Sequence, residues 1–316
     1  MSSRILLNHI ELSRQSIDSV FLNTPQFVCE PLSKWLDLNL ILKVETINPI
    51  RCFKGRGAEW LISQADQAKE IVCASAGNFG QAVAYSCRKR KLKVSVVASV
   101  NANPLKIERM KSLGAEVILC GEDFDAAKTE AKILAQKRNA RFVEDSLDIE
   151  TVEGAGTIAL ELLAWAQPID TLVVPLGNGA MINGIATVFR HKSPHTKIIA
   201  TQAEGAPAMV ESWRQNKVIN YPSVNTIADG VAVRLPVAQA LEDLKGLIDD
   251  AWLVDEQAIM EAMKLIHTHA GIVAEPSGAL GLAAISKNKN VVKGKNVATI
   301  ICGGNVTEEQ MKKWIG

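Results

Sequence analysis

The sequence predicts a two-domain α/β fold built on doubly wound, mainly parallel sheets. Apolar runs of strand length alternate with segments of helical period along most of the 316 residues, as in parallel strands joined by helices. Three loops rich in small residues stand between a strand-like and a helix-like run. An apolar content of 47% over this length supplies a core for about two domains.

The predicted strands are short, mostly apolar runs bounded by charged or small residues. The predicted helices lie between them. The clearest is 104–112, because Pro104 favours the first helical position and Gly114 ends the helix. In chain order we expect strands at 40–45, 71–74, 94–100, 116–119, 172–176, 198–202 and 297–302, and helices at 58–69, 81–89, 104–112 and about 180–190.

Composition excludes several classes of function. The 35 basic and 34 acidic residues nearly balance, so no net charge attracts nucleic acid or an anionic membrane, and a small neutral or zwitterionic substrate fits better. No apolar run reaches membrane-spanning length and the first residues lack an apolar signal core, which predicts a cytoplasmic protein. The six cysteines form no CxxC or zinc-like pairs, so we expect free thiols.

Lys54 is the first candidate for chemistry. It stands just before a predicted helix, in residues 53–58 (FKGRGA). A helix N-terminus disfavours the charged form of an amine, and a neutral amine can act as a nucleophile or a base. On residue type alone, a solvated surface lysine is the commoner alternative.

Residues 177–181 (GNGAM) follow a predicted strand and open a helix. Small residues let successive backbone N–H groups converge on a phosphate, and the helix N-terminus adds partial positive charge. A dinucleotide-binding turn is the alternative. The spacing of Gly177, Gly179 and Gly184 departs from G-x-G-x-x-G, whereas Glu204 stands roughly where a ribose-binding acid is expected. The loop alone leaves both interpretations open.

Two further segments also adjoin predicted strands. Residues 75–80 (SAGNFG) form a second helix start suited to an anion, although a serine cap with a tight turn is the commoner explanation. Cys302 ends the last predicted strand, before Gly303, Gly304 and Asn305. A buried apolar cysteine is the commoner explanation there.

Together these segments resemble the β-family (fold type II) of pyridoxal-phosphate enzymes, in particular the branch of serine/threonine dehydratases (ammonia-lyases) and serine racemases. The resemblance extends from about Thr24 to Asn305. It implies a tryptophan synthase β-like fold in which a small domain, 70–147, is inserted into a large domain formed by 1–69 and 148–316. It also implies the cofactor pyridoxal 5'-phosphate, an amino-acid substrate and a homo-oligomer, expected to be a dimer.

The resemblance assigns roles to individual residues. Lys54 would form the Schiff base with the cofactor and act as the base at Cα, with Phe53 beside it. The cofactor phosphate would be bound by the first loop, namely Gly177, Asn178, Gly179, Ala180 and Met181. The substrate carboxylate would be bound by the second, namely Ser75, Ala76, Gly77, Asn78 and Phe79. Asn78 would also contact the phenolic oxygen of the cofactor, and Cys302 would face the pyridine nitrogen.

The chain departs from the family pattern at several positions. Cys52 stands where the family has serine, and Asn178 and Ala180 replace two glycines of the phosphate loop. Phe79 stands where relatives often have histidine. This substitution predicts a more apolar substrate side of the pocket.

Two positions favour elimination over other reactions. Ala76 stands where the racemases of the family have a serine that protonates Cα on the face opposite the lysine, and alanine has no proton to give. A thiol at Cys302 would not hold the pyridine nitrogen protonated, so the ring would be a weaker electron sink. We therefore predict an ammonia-lyase that removes the β-hydroxyl of a serine- or threonine-like amino acid and gives a 2-oxo acid and ammonia.

Three alternatives remain open. The same scaffold supports amino-acid racemisation or β-replacement. A cofactor-binding sensor would keep the fold without turnover. A nicotinamide oxidoreductase would use residues 177–181 for a dinucleotide.

No metal site is expected. The second carboxylate that relatives place six residues after Glu204 is Val210 in this chain. His267 and His269 are two residues apart, so they point to different faces of a helix. Residues 226–233 and 275–279 also match family segments, but the sequence gives them no obvious chemical role.

Overall fold

The protein, as a computed structural model, is described over residues 3–65, 67–292 and 294–316, and these residues form two β-sheets with helices on both faces. None of the helices in these ranges is long and apolar enough to span a bilayer. The arrangement is the doubly wound α/β architecture that the alternating pattern predicted.

The larger sheet has the strand order β1-β2-β10-β7-β8-β9. β1 pairs antiparallel with β2, and the other strands are parallel. The strands are β1 (Gln26–Val28), β2 (Asn39–Val44), β7 (Thr171–Pro175), β8 (Lys197–Ala203), β9 (Asp250–Val254) and β10 (Asn296–Ile301).

The smaller sheet has the order β5-β4-β3-β6 and is entirely parallel. Its strands are β3 (Glu70–Ala74), β4 (Lys93–Ala98), β5 (Glu116–Leu119) and β6 (Arg141–Val143). All four come from one continuous stretch of chain, which lies within the segment 70–147 predicted to form an inserted small domain. The domain boundaries themselves stay a prediction.

Helices connect the strands. They are α1 (Leu7–Ser13), α2 (Glu30–Leu36), α3 (Lys54–Ser63), α4 (Asn78–Lys89), α5 (Pro104–Ser112), α6 (Phe124–Arg138), α7 (Ile149–Leu162), α8 (Ala180–Lys192), α9 (Ala208–Gln215), α10 (Ala238–Leu244), α11 (Glu256–Ala270), α12 (Pro276–Lys287) and α13 (Glu308–Trp314). Two short 3₁₀ turns lie at Ser19–Phe21 and Asp229–Val231.

Both faces of the larger sheet are buried. Ile41 packs into a core with α1, α7 and α8, whereas its neighbours Leu40 and Leu42 pack into a second core with α2, α11 and α12. This alternation follows from the two-residue period of a strand. It explains why the sequence shows continuous apolar runs rather than alternation with polar residues.

The main difference from the predicted elements concerns α3. It begins at Lys54, whereas the predicted start was residue 58. Gly55 and Gly57 have low helix propensity, which favoured a loop in the prediction. Packing overrides propensity here: a Cβ at Gly57 would lie 2.6 Å from the carbonyl oxygen of Thr151 in α7. The close approach of the two helices needs glycine, and it fixes the N-terminus of α3.

Three short strands carry no clear sequence signal. β1 and β6 have three residues each, and β1 is only half-buried. β9 begins with an exposed aspartate and is partly exposed along its length. Their pairing in the sheets compensates for weak local preference.

A fully connected charged network lies behind α3. Arg56 donates to Glu45 (Nε–Oε2, 2.8 Å) and to Glu161 (Nη1–Oε1, 2.7 Å), and all three side chains are buried. Lys43 Nζ donates to Glu161 Oε2 (2.5 Å) and to the carbonyl oxygen of Thr24 (2.8 Å). Burial opposes the charge of Glu161, but Arg56 and Lys43 lower its pKa to about 2. The network joins β2, α3 and α7.

Candidate functional site

A cavity of about 730 Å³ opens where the carboxyl ends of strands from both sheets meet. Its wall includes the last residues of β3, β6 and β7 and the residue that follows β10, namely Ala74, Val143, Pro175 and Cys302. Ligands of doubly wound proteins bind at this edge of the sheet. All the residues that the sequence assigned to cofactor and substrate line this cavity.

Lys54 is the first residue of α3 and faces the cavity. Its Nζ lies 2.6 Å from Asp145 Oδ2 and 4.6 Å from the centre of the Phe53 ring. The backbone N–H of Phe53 donates to the carbonyl oxygen of Cys302 (3.0 Å), and Cys52 forms an isolated bridge with Gly303. The segment that precedes the lysine is therefore tied to the end of β10.

Residues 177–181 connect β7 to α8, as predicted. Gly179 has φ = 99°, a left-handed conformation that glycine adopts without strain. The N–H of Ala180 donates to Ser146 Oγ (3.1 Å). Within the described parts of the chain, the N–H groups of Gly177, Asn178 and Gly179 have no hydrogen-bond partner. Three free donors beside a helix N-terminus form a site suited to an anion.

Residues 75–80 connect β3 to α4. Ser75 Oγ accepts from the N–H groups of Gly77 (3.1 Å) and Gly80 (2.9 Å), so the serine closes the turn, as in the commoner explanation of this segment. Ala76 is half-buried and lines the cavity. Phe79 is buried, contributes to the core around α4 and also borders the cavity. The loop thus offers a second helix N-terminus, with the apolar ring of Phe79 at the edge of the cavity.

Asn78 is held by two partners that are distant in sequence. Its Nδ2 donates to Glu275 Oε1 (2.6 Å), and its Oδ1 accepts from Asn305 Nδ2 (2.8 Å). Glu275 is buried, and burial raises its pKa to about 7 against the opposing charge of Lys106. These contacts fix the orientation of the Asn78 amide at the cavity wall.

Lys106, in α5, is a buried amine that the sequence did not reveal. Its Nζ pairs with Asp229 and lies 3.9 Å from Glu275 Oε2. Burial opposes the charge, but the two carboxylates raise the pKa of Lys106. A Cβ built on Gly77 would lie 3.5 Å from this Nζ, so the amine is beneath the loop 75–80. Asp229 and Glu275 lie in the segments 226–233 and 275–279, to which the sequence analysis gave no chemical role.

Cys302 also lines the cavity. Its Sγ donates to the carbonyl oxygen of Ser277 (3.5 Å), and burial raises the pKa of the thiol, which keeps it neutral. Ser277 Oγ is buried, lines the cavity and has no hydrogen-bond partner among the described residues. Cys302 and Ser277 together provide two neutral groups at the cavity wall. The sequence analysis named Cys302 as a candidate residue, whereas Ser277 was included only in the segment 275–279.

The candidate metal ligands do not assemble. Glu204 is exposed and lies 3.9 Å from Lys287 Nζ, and Val210 is buried in α9. His267 and His269 are exposed on α11. In the ranges that the structure describes, no group of three or more His, Cys, Asp or Glu side chains is arranged for a metal ion.

The cavity fits pyridoxal phosphate. Free N–H groups at 177–179 suit its phosphate, and the Lys54 amine is accessible for a covalent bond. The unpaired Ser277 hydroxyl and the Cys302 thiol suit a heteroaromatic nitrogen, because neither carries charge. A nicotinamide dinucleotide would leave the position of Lys54 unexplained.

The family model described as "Pyridoxal-phosphate dependent enzyme" matches residues 17–303. The L-threonine dehydratase of Halalkalibacterium halodurans is 34% identical over 309 residues, which covers 96% of this chain and 74% of the relative. The L-threonine ammonia-lyase of Thermotoga maritima is 34% identical over 305 residues and is covered over 76% of its length, again with 96% of this chain.

Solved structures agree with these matches. The maize serine racemase superposes with a TM-score of 0.92 at 28% identity, covering 99% of this chain and 97% of that chain. Threonine deaminase isoform 2 from Solanum lycopersicum superposes with a TM-score of 0.89 at 29% identity, covering 98% and 88% of the two chains. An L-serine ammonia-lyase from Rhizomucor miehei, 23% identical over 93% of this chain and 99% of that chain with a TM-score of 0.83, shares the fold.

Proposed function

Because the chain belongs to the pyridoxal-phosphate dependent enzymes, within the fold type II branch of serine/threonine dehydratases and serine racemases, we propose that it deaminates a β-hydroxy amino acid. The substrate is of the serine or threonine type, and the products are a 2-oxo acid and ammonia. The observation that carries this proposal is the placement of the Lys54 amine in one cavity with two loops, 75–80 and 177–181, each at a helix N-terminus.

When bound, pyridoxal phosphate supplies an electron-accepting ring that makes the Cα–H of an attached amino acid acidic. In this proposal Lys54 would hold it covalently with Phe53 beside it, and residues 177–181 would bind its phosphate through backbone N–H groups. Asn78 would bind its phenolic oxygen. Cys302 and Ser277 would be the neutral groups for its ring nitrogen.

Residues of the chain bind the substrate and transfer the proton. Residues 75–79 bind the substrate carboxylate, which holds Cα next to Lys54. Once the substrate amine has displaced it, the free Lys54 Nζ would take the proton from Cα. The Cβ–O bond would break as the double bond forms between Cα and Cβ, and the hydroxyl would leave as water with a proton from solvent. The released enamine hydrolyses in water to the 2-oxo acid and ammonia.

Two observations favour elimination over racemisation. Ala76 presents a methyl group to the cavity, so position 76 offers no side-chain acid for the face of Cα away from Lys54. The neutral thiol of Cys302 favours early loss of the β-substituent, because it does not strengthen the ring as an electron sink. Racemisation is the second candidate, since the maize serine racemase is similar over nearly the whole chain.

The test is a panel of β-hydroxy amino acids assayed for ammonia and 2-oxo acid, with Lys54→Ala as the control. We expect both products in equal amounts from L-serine or L-threonine, and none from the control. A protein that binds the cofactor and releases neither product would favour the sensor alternative. Inversion of the amino acid without 2-oxo acid would favour the racemase.

Three finer statements accompany the proposal. The protein acts as a homodimer, it is cytoplasmic, and residues 70–147 form a small domain inserted into the large domain of residues 1–69 and 148–316. Size-exclusion chromatography with light scattering tests the first statement. Cell fractionation tests the second, and limited proteolysis at the two boundaries tests the third.

A further inference from the structure

Asp145 is an acidic side chain in the cavity that the mechanism above does not use. Its Oδ2 lies 2.6 Å from Lys54 Nζ, and its Oδ1 is buried without a hydrogen-bond partner among the described residues. The lysine and aspartate side chains are 18% and 19% exposed. Oδ1 can therefore accept a hydrogen bond from a further donor. Among the described residues, Oδ2 accepts from Lys54.

The backbone that carries Asp145 is held in an uncommon conformation. Ser146 has φ = 69°, in the left-handed region that a non-glycine residue rarely adopts. Its N–H donates to Thr151 Oγ1 (3.0 Å), its carbonyl oxygen accepts from Arg4 (3.0 Å), and its Oγ accepts from the N–H of Ala180 (3.1 Å). These three contacts fix the segment and hold Asp145 against the cavity.

The other cations of the cavity wall already have partners. Lys106 pairs with Asp229, Lys128 with Glu144 and Arg234 with Asp125. In the proposed function Lys54 bonds to the cofactor before substrate arrives and is a neutral base once the substrate amine has displaced it. In neither state does it serve Asp145 as the ammonium partner that it is without the cofactor. A partly buried carboxylate without a donor is unfavourable, so the site then favours a ligand that supplies one.

We propose that Asp145 is a specificity-determining residue that accepts a hydrogen bond from a donor on the β-carbon of the substrate. The base must reach the proton on Cα, and the β-substituent is attached to the neighbouring carbon. A carboxylate in hydrogen-bond contact with that base is therefore close to the β-substituent. A hydroxyl or an ammonium group at Cβ can donate to it, whereas a hydrogen or a chlorine cannot. This inference rests on the proposed function.

The first experiment measures binding without turnover. The Lys54→Ala protein supplied with pyridoxal phosphate is tested by equilibrium dialysis against L-serine, L-alanine and L-2,3-diaminopropionate. We expect serine to bind about tenfold more tightly than alanine, and diaminopropionate more tightly still, because charge strengthens the bond. Adding Asp145→Leu abolishes both differences. Adding Asp145→Asn keeps part of the preference for serine and loses that for the diamino acid.

The second experiment uses the enzyme with Lys54 in place, so it does not depend on how Lys54→Ala holds the cofactor. The ratio of kcat/KM for L-serine to that for β-chloro-L-alanine should fall about tenfold in Asp145→Leu. Glu144→Gln is the matched control, because it changes the adjacent carboxylate, which pairs with Lys128. We expect this control to leave the ratio unchanged.

Equal affinity for serine and alanine in the Lys54→Ala protein would overturn the inference. An equal loss of affinity for all three ligands on adding Asp145→Leu would also overturn the inference, because that result indicates that Asp145 has a structural role only. Failure of the proposed function gives a different result: no member of the β-hydroxy amino acid panel yields a 2-oxo acid, while dialysis still reports whether Asp145 discriminates between β-substituents.

Discussion

Lys54 and Arg56 are two residues apart on the first turn of α3, yet their surroundings differ. Arg56 is fully buried, and each of its three guanidinium nitrogens donates to Glu45, Glu161 or both. Lys54 has one carboxylate partner, Asp145, and borders a large cavity. A closed network stabilises one arrangement of charges, whereas an open pair can exchange its partner for a ligand.

Two glutamates show the same contrast in their protonation. Arg56 and Lys43 lower the pKa of Glu161 to about 2, so it stays ionised within the closed network. Burial raises the pKa of Glu275 to about 7 at the cavity wall, although Lys106 lies nearby. Glu161 therefore keeps its charge near neutral pH, whereas Glu275 titrates near neutral pH. Perturbed groups of this kind are common at functional sites.

The largest expected effect is on activity. Lys54→Met should lower kcat by at least about 10³-fold, because both the bond to the cofactor and the proton transfer at Cα are lost. It should lower the free energy of unfolding by only about 1 kcal/mol, because solvent still reaches the Asp145 carboxylate that loses its partner. Borohydride reduction of the yellow wild-type protein followed by peptide mapping should label Lys54. Label on another lysine contradicts the assignment.

Arg56→Met has the opposite profile. It should destabilise the protein by about 3 kcal/mol, because Glu45 and Glu161 remain buried with only Lys43 to neutralise them. Urea unfolding of the cofactor-free protein measures this change beside Lys54→Met. If both substitutions have equal effects on stability, the contrast between the closed and the open pair is wrong.

The stability of the cofactor-free protein should fall as the pH rises through the range from 4.5 to 7. The folded state keeps Glu275 protonated up to about pH 7, whereas its ordinary value is 4.5, so the folded state binds more protons in this window. Glu161 contributes with the opposite sign: its stabilisation is present above pH 4.5 and is lost as the pH falls towards 2.

Glu275→Gln isolates the first contribution. The variant still offers a carbonyl oxygen to the Asn78 side chain. If the substitution lowers the free energy of unfolding by the same amount at every pH, the dependence of that free energy on pH is unchanged. Between pH 5 and 8 the wild type should lose up to about 3 kcal/mol more than the variant, measured by urea unfolding at each pH. Parallel curves would show that Glu275 titrates normally.

A smaller effect concerns stereochemistry. With Ala76 in the loop, position 76 supplies no side-chain acid to the far face of Cα, so L-serine should yield 2-oxo acid with little D-enantiomer. Ala76→Ser should raise the racemised fraction relative to elimination. Chiral separation of the residual amino acid beside a 2-oxo acid assay measures this ratio. Wild-type protein that forms D-serine as fast as 2-oxo acid would show that another group protonates this face.

The smallest expected effect is that of metal removal. Val210 occupies the position of a second carboxylate, so Glu204 gives a hard divalent cation too few fixed oxygens. EDTA should leave the rate of 2-oxo acid release largely unchanged. Loss of activity with EDTA and recovery with magnesium would reveal a cation site built from other ligands.

Much of the fold follows from local rules. Buried parallel strands are continuous apolar runs, and a proline and a glycine bound the helix 104–112, which has the predicted limits. The resemblance to fold type II enzymes and the cofactor prediction are confirmed by the family match over 17–303. The starts of α3 and α4 were predicted too late in the chain, because glycines in both first turns are needed for packing that a local rule does not include.

The site residues named from the sequence do lie around one cavity, but their individual roles stay predictions. Ser75 acts within the loop as a turn-closing acceptor, as a serine beside a glycine often does. Lys106 gave no signal, because a lysine near the start of a helix is normally exposed. Its burial depends on Asp229, which is 123 residues away in the chain.

The sequence alone predicted which segments border the cavity, because small residues after a strand and a lysine at a helix start are local features. Tertiary structure decided which charges meet. Asp145 reaches Lys54 across 91 residues and Glu275 reaches Asn78 across 197. The protonation and pairing of these groups depend on burial and on distances of a few ångströms, which only the packing of both sheets around one cavity establishes.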